Sequence, residues 1–389
     1  MRVCLVYDCL FPHTVGGAER WYRHLAERLA ADGHTVTYLT LRQWDRGEDP
    51  GVAGVEVRAV GPRMALYAGP GRRRILPPLV FGLGVLWHLL RHGRRYDIVH
   101  TCSFPYFSLL AAAATRRRGR YRLVVDWFEV WSPSYWQEYL GRLGGEVGWR
   151  IQRLCVRVPQ RAFCFSRLYA RRLREEGVRG ELTLLAGAYT GPVEPRSPGQ
   201  AEPLVVFAGR HIPEKRVLTI PPAIAQARVQ LPELQAEIVG DGPERAPLIR
   251  RVDELGLHDV VRIPGFVSTD TVDELISHAL CLLLPSQREG YGLIVIEAAS
   301  RGTPSIVVAG PDNAAVELIS EGTNGFIAPS ASPEDLAGAI FQIHDAGPAL
   351  RASTAAWFAA NARRLSLDRS LEIVLDAYGH GLLAPEPNR

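Results

Sequence analysis

The chain has 389 residues, of which 47% are hydrophobic and 22% charged, with 45 Lys+Arg against 41 Asp+Glu. That length exceeds one ordinary core and predicts two domains, and the composition is that of a soluble globular chain, which argues against disordered and membrane-spanning classes. The net charge of +4 conceals an asymmetry: residues 1–190 carry 29 Arg against 16 acidic residues (+13), whereas residues 191–389 carry 16 basic against 25 acidic (−9).

The opening "MRVCLVYDCLF" contains one Arg and reads as a short strand rather than a leader with a cleavage site. The six cysteines form no CxxC pair, which fits free buried thiols in a reducing cytoplasm better than disulfides or zinc. After the first strand, Val3–Tyr7, comes "FPHTVGGAERWYRHLAERLAADGH", an amphipathic helix pattern with Trp21, Leu25 and Leu29 on one stripe. Gly16 and Gly17 precede it, and a glycine pair at a helix start lets backbone approach a ligand where the helix end favours negative charge. The spacing is not GxGxxG, so a dinucleotide site is disfavoured, and a plain turn before a helix is the other reading.

Further β-branched runs follow at Thr35–Leu39, Val55–Val60, Asp97–Thr101, Arg122–Asp126, Ala162–Phe165 and Leu182–Leu185. Between them, the 16-residue apolar stretch Ile75–Leu90 contains Pro-Pro and is too short and broken to span a bilayer. Arginine clusters at 72–74, 91–95, 116–122 and 167–174 read either as solvated helix ends or as a face for anionic lipid or an acidic acceptor. No aromatic-basic platform or recognition motif points to nucleic acid.

The stretch Ala186–Pro203 is rich in Gly and Pro, lacks periodicity and reads as a linker. The alternation then resumes at Leu204–Ala208, Gln235–Val239, Val260–Ile263, Cys281–Leu284 and Ser305–Val308. Two βα series predict two doubly wound parallel sheets that bind ligands at strand carboxyl ends. The domains are placed at 1–188 and 189–365, with a C-terminal helix and frayed tail over 366–389; the helix Ser366–Tyr378 could pack on either domain.

In "GRHIPEKRV", Arg210 sits at the strand's carboxyl end and Lys215 at a helix start. Lys215 is the single lysine of the chain; the other 44 basic residues are arginine. A compact ammonium approaches one phosphate oxygen in a way a planar guanidinium does not, so the exception points to a ligand contact, against chance survival of one lysine. "VGDGPERAPLIRR" is mostly architecture, and Val267, ending "VRIPGFV", stands at a strand exit that could cradle a nucleobase through backbone contacts.

The stretch "SQREGYGLIVIEAAS" holds Glu289 just before a Gly-Tyr-Gly turn and Glu297 inside an apolar helix beginning near Tyr291. That helix reads as mostly buried, so Glu297 needs hydrogen-bond donors, and ligand hydroxyls would serve. The amides of Gly290, Tyr291, Gly292 and Leu293 would then be free for an anion between the two carboxylates. One ligand with a central diphosphate and a hydroxylated ring at each end meets all these needs, which describes a nucleotide sugar. The alternative is a surface Glu289 and an ion-paired Glu297.

The E-x7-E spacing in "REGYGLIVIEAA", followed by "GTPSIVV" and "GTNGFIAP", resembles the retaining GT-B glycosyltransferases of the GT4 group, and "GGAER", "GRHIPEK" and "VGDGPE" fit in order and position. The resemblance covers Arg2 to about Tyr378. It implies a GT-B fold of class α/β, with two Rossmann-like doubly wound domains facing a central cleft, the donor bound mainly by the second and the acceptor by the first. It also implies that Arg210 and Lys215 hold the diphosphate, Glu289 contacts the donor sugar, Glu297 the ribose hydroxyls, and Gly16-Gly17 the donor from across the cleft.

The chain departs from similar members at two places. Phe128 stands where many carry a histidine, and Thr101-Cys102 stand where a second often follows "DIVH". Asp126, Glu129 and Trp131 are therefore the acceptor-side candidates, against the reading of a buried strand end with a satisfied carboxylate.

The resulting expectation is a cytoplasmic, retaining hexosyltransferase using an NDP-sugar donor and an acceptor that is a glycan, a lipid-linked species or a small molecule. Cell-envelope glycan, glycolipid or secondary-metabolite synthesis would employ it. No DxD motif occurs, so no metal and no cofactor beyond the donor substrate are expected. The rivals are a sugar-nucleotide epimerase on the same fold and a non-catalytic sugar-nucleotide binder.

Overall fold

The computed structural model describes residues 1–45, 47–66, 73–194 and 199–379. Among these, the chain divides into two compact units. The first comprises the residues up to Ala186 together with those from Ser370 onward, and the second those from Gly187 to Arg369.

The first unit is built on a parallel sheet of strands β1 (Arg2–Val6), β2 (Thr35–Leu41), β3 (Val55–Gly61), β4 (Ile98–Cys102), β5 (Arg122–Trp127), β6 (Arg161–Cys164) and β7 (Leu182–Leu184). Their spatial order is β3-β2-β1-β4-β5-β6-β7. Every run expected to be a strand is one, to within two residues. The central strands are covered on both faces, which is why "VCLV" and "IVHTC" are apolar almost throughout: Val3 to Val6 and Ile98 to Cys102 are all buried. The intervening helices are α1 (Gly17–Ala31), α2 (Leu76–His92), α3 (Tyr106–Gly119), α4 (Pro133–Val156) and α5 (Arg167–Glu175). In α1, Trp21, Tyr22, Leu25, Ala26 and Leu29 form the buried stripe that the 3.6-residue period dictates. All six cysteines are buried and free.

The second unit repeats the scheme with β8 (Leu204–Ala208), β9 (Gln235–Val239), β10 (Val261–Gly265), β11 (Cys281–Leu284), β13 (Ser305–Val308) and β15 (Gly325–Ala328), in the order β10-β9-β8-β11-β13-β15. The strand β15, absent from the sequence reading, lies in "GTNGFIAP", where flanking glycine and proline mask a four-residue run. A two-stranded parallel ribbon pairs β12 (Arg288–Glu289) with β14 (Asp312–Asn313). Helices α6 (Ile220–Arg228), α7 (Arg245–Glu254), α8 (Thr269–His278), α9 (Leu293–Ala299) and α10 (Pro333–Leu365) complete it, α10 bending at Gly347-Pro348.

The last helix, α11 (Leu367–Gly379), answers the question of where the C-terminal segment packs. Its Tyr378 is buried in the first unit, where its hydroxyl lies 2.5 Å from His100 Nδ1. The residues from Ser370 onward therefore belong to the first unit rather than forming a separate appendage. The proposed tail beyond residue 379 lies outside the described residues. The segment read as a linker is anchored: Tyr189 is buried, with its amide donating to Leu365 O and its carbonyl accepting from the Leu367 amide, and Gly199 O accepts from Arg351.

Candidate functional site

In the second sheet the chain proceeds from β8 to β9 in one direction and later returns to β11 on the other side. The switch point, where an open parallel sheet offers a crevice, therefore lies between β8 and β11. The two loops leaving these strands at their carboxyl ends are 209–216 and 285–292. They carry Arg210, Lys215 and the 289–292 stretch.

The structure ties these loops together through Lys215 and Glu289. The Lys215 ammonium donates to Glu289 Oε1, and Ser286 Oγ donates to the same oxygen at 2.7 Å. Both charged side chains are largely withdrawn from water, at 20% and 10% exposure. The Gln287 amide donates to Glu214 O at 2.8 Å, and Arg288 lies 3.7 Å from Glu214. Asn313 completes the frame: its Nδ2 donates to Ser286 O and Val308 O while its Oδ1 accepts from the Ala315 amide. Glu289 was expected in the loop just before the helix. Instead it is buried on β12, because pairing with Asp312–Asn313 pulls the residues after β11 into a ribbon.

Arg210 is placed differently. It lies two residues beyond β8, exposed, with no side-chain partner among the described residues. The two cations expected to act together are thus unequal: Lys215 is committed to a carboxylate, and Arg210 is available. Between them His211 is fully buried beside Phe207, and burial pushes its imidazole down from the ordinary value, against the opposing pull of Asp241. Burial likewise pushes the Glu244 carboxyl up, with Glu214 adding to it. Val267 sits half-buried in the loop leaving β10, next to an exposed Phe266.

The stretch after Glu289 corrects the sequence reading twice. The helix α9 begins at Leu293, two residues later than expected, and is seven residues long. Gly292 caps it with φ 97, and a Cβ there would come 2.7 Å from that of Ala315. Nor is the helix apolar and buried all round. Val295, Ile296, Ala298 and Ala299 are buried, but Leu293, Ile294 and Glu297 are only half-buried. Those three are spaced i, i+1, i+4, so they share one side, and Glu297 lies on the less buried side of the helix rather than inside it.

In the first unit the equivalent switch point is between β1 and β4. Gly16 and Gly17 stand there at the start of α1, Gly16 with extended backbone and Gly17 exposed with no atom within 4 Å of where a Cβ would lie. Asp126 does not line an accessible surface and is withdrawn from the acceptor side. It is completely buried, with Oδ2 accepting from Trp21 Nε1 at 2.7 Å and Oδ1 lying 2.9 Å from His100 Nε2. This agrees with the reading of a buried strand end, the carboxylate being held by Trp21 and facing His100. Glu129 and Trp131 are half-buried and joined, the indole donating to Glu129 Oε2 at 2.7 Å. Trp131 lies in an aromatic group with Phe104, Tyr135, Trp136 and Tyr139, and Arg73 lies over Phe104 while donating to Asp8 Oδ2 at 2.7 Å. Phe128, where many similar members carry histidine, stacks on Phe165.

Sequence reasoning missed Ser286, Asn313 and Asp8, and read Arg73 only as a member of the 72–74 cluster. Ser286 and Asn313 are ordinary loop residues without a motif. Asp8 and Arg73 are 65 positions apart, and no local pattern joins them. Among the described residues no three His, Cys, Asp or Glu side chains gather into a metal-binding group.

Comparison with known proteins agrees with this layout. Residues 16–186 match the glycosyl transferase 4-like domain and residues 194–363 the glycosyl transferases group 1 model. The chain belongs to the GT-B glycosyltransferases of the GT4 type. The MMP alpha-(1->4)-mannosyltransferase of Mycolicibacterium hassiacum is 24% identical over 366 residues, covering 82% of this chain and 86% of that protein. The alpha-D-kanosaminyltransferase of Streptomyces kanamyceticus is 33% identical over 149 residues, 38% of each chain. The match thus spans well under half the length of that relative, and 27% of a Streptococcus gordonii peptide N-acetylglucosaminyltransferase subunit. Among solved structures, sucrose-phosphate synthase from Thermosynechococcus elongatus has a TM-score of 0.77 at 20% identity, covering 99% of this chain and all of that one. Anabaena HepE in complex with UDP-glucose gives 0.72 at 18% identity, covering 98% and 100%. At such identities these neighbours establish the GT-B fold of this group. The epimerase reading has no support in them.

Proposed function

We propose that this member of the GT4 type moves a hexosyl group from a nucleoside diphosphate sugar to an acceptor hydroxyl, with retention and without a metal. The observation that carries the reading is the switch-point pair: Lys215 bound to buried Glu289, beside an exposed and unpartnered Arg210. In the reaction the bond between sugar C1 and the β-phosphate oxygen breaks. The acceptor oxygen bonds to C1 on the same face, and the departing phosphate takes the acceptor proton. Negative charge develops on the diphosphate, and fixed cations and amide dipoles stabilise it. Arg210, Lys215 and the amides of residues 290–293 are assigned that role. Glu289 is assigned the donor sugar, Glu297 the ribose hydroxyls, and Val267 the base. Gly16 and Gly17 are assigned a donor contact, and Glu129 and Trp131 the acceptor.

No cofactor beyond the donor is invoked, and a cytoplasmic enzyme in peripheral contact with a membrane fits the basic first half. Among the described residues no helix is long and apolar enough to cross a membrane. The test is release of nucleoside diphosphate from a panel of nucleotide sugars with and without candidate acceptors, followed by the anomeric configuration of the product. UDP sugars come first, since solved neighbours were captured with UDP and UDP-glucose. Transfer should survive excess EDTA. Activity abolished by chelator and restored by Mg²⁺ overturns the metal-free account, and tight donor binding without turnover overturns the catalytic one.

A further inference from the structure

The helix α2 reads "LPPLVFGLGVLWHLLRH" and contains no charge before Arg91. Its inner face is pinned flush against the first unit. Pro77, Pro78, Phe81, Val85, His88 and Leu89 are buried there, and a Cβ on Gly82 or Gly84 would meet Phe107 Cβ at 2.5 Å or Val60 O at 1.9 Å. The outer face is different from that of any ordinary surface helix. Leu76, Leu79, Leu83, Trp87 and Leu90 are all exposed, with Leu83 at 65% and Trp87 at 58%. At 3.6 residues per turn these five fall within an arc of about 80° and run for about 21 Å along the helix. Ile75 extends the row at 63% exposure. A solvated face would carry polar residues, and a contiguous apolar stripe of this size marks a contact surface.

Charge identifies the contact. Arg74 is exposed at one end of the stripe, and Arg91, Arg94 and Arg95 at the other. Arg91 lies 3.6 Å above the Trp87 ring, and Arg94 reaches Arg118 O, which joins this end to the arginine-rich end of α3. From residue 57 to residue 125 the sequence holds thirteen arginines and one acidic residue, Asp97, which is paired with Arg2. A second copy of the chain is a poor partner for this face. Parallel or antiparallel, two stripes in contact would set arginine against arginine at both ends. An anionic lipid surface takes the apolar row into its headgroup boundary and satisfies every collar cation.

We propose that α2 docks lengthwise on an anionic bilayer, with the Leu76–Leu90 row immersed and the arginines at headgroup level. Trp87 with Arg91 above it forms the interfacial anchor, an aromatic body with a cation reaching for phosphate. The orientation would present the first unit to a membrane-borne acceptor, but the docking itself does not depend on the donor-site reading.

The experiment is vesicle flotation of the full chain and of Leu83→Glu and Trp87→Ser, with melting temperatures measured in parallel. Vesicles of one-third phosphatidylglycerol in phosphatidylcholine should capture the wild type, and phosphatidylcholine alone should capture it far less. Each variant should lose at least about tenfold in partitioning, because apolar burial is removed and, in Leu83→Glu, a like charge is added. Both should melt with the wild type, since the side chains touch water. Arg91→Gln with Arg94→Gln should weaken capture at low salt and matter less at high salt. Equal capture of all variants, or capture governed by salt alone, overturns the immersion of α2. So does a wild-type dimer in sedimentation that Leu83→Glu converts to monomer without any vesicle binding, which would make the face a self-contact.

Discussion

Replacing Lys215 with alanine separates two roles that the structure superimposes on one ammonium. Structurally, Lys215 neutralises Glu289, whose side chain is 10% exposed and also accepts from Ser286 Oγ. Removing one member of a fully buried pair costs about 3–5 kcal/mol, whereas an exposed pair is worth about 0–1 kcal/mol. With Lys215 one-fifth exposed and water able to enter behind the lost side chain, about 2 kcal/mol is expected. For a unit of this size that lowers Tm by roughly 4–8 °C. Catalytically, loss of one fixed donor to a developing phosphate charge costs about 10²–10³ in turnover. Scanning calorimetry and diphosphate release on the same protein read both. Lys215→Arg refines the result. It keeps a cation beside Glu289, so most stability should return, while the planar fork should not restore the approach to a single phosphate oxygen. Wild-type turnover in Lys215→Ala at reduced Tm would refute the catalytic assignment and leave Lys215 a partner of Glu289 alone.

Glu297→Gln should weaken nucleoside diphosphate sugar binding by about tenfold or more in calorimetric titration with Tm nearly unchanged, because the carboxylate is only half-buried and charged hydrogen bonds are the stronger ones. A large fall in Tm with unchanged affinity would return Glu297 to the scaffold. Tyr378→Phe should cost about 1–3 kcal/mol in denaturant unfolding, because it strands the Nδ1 of fully buried His100; an unchanged midpoint would mean that α11 is held by its apolar contacts alone. His88 is held down to about 4 by burial, with its Nε2 2.8 Å from Tyr96 OH. The unfolded chain binds that proton more readily, so stability is complete above about pH 6.5 and falls by about 1–3 kcal/mol as pH drops towards 4. His88→Gln, which does not titrate, should flatten this acid limb of the Tm–pH curve; an identical slope assigns the loss to other groups.

The fold was legible because its signals are local and repeated. Twelve strands read as short β-branched or apolar runs punctuated by turn residues, most clearly the central ones, whose two faces are covered. The thirteenth and the β12–β14 ribbon were not read. A two-residue pairing leaves no periodicity, and it acquires its meaning only from the residue opposite. That ribbon is what turns Glu289 from a loop residue into a buried partner of Lys215.

The sequence by itself determined which chemistry the chain carries: the lone lysine, the E-x7-E spacing and the glycine turn between them follow from residue identity and short separations. The tertiary structure decided how far each of those groups is withdrawn from water. Solvation of a carboxylate or a cation depends on atoms brought from elsewhere in the chain, as Trp21 and His100 are to Asp126, and Asp8 to Arg73. The sequence offered Asp126 as an acceptor-side candidate and Glu297 as a donor contact, on residue identity and position alone. Packing enclosed the first within the core of its unit and left the second facing outward on its helix, because only long-range contact determines how much water a charge retains.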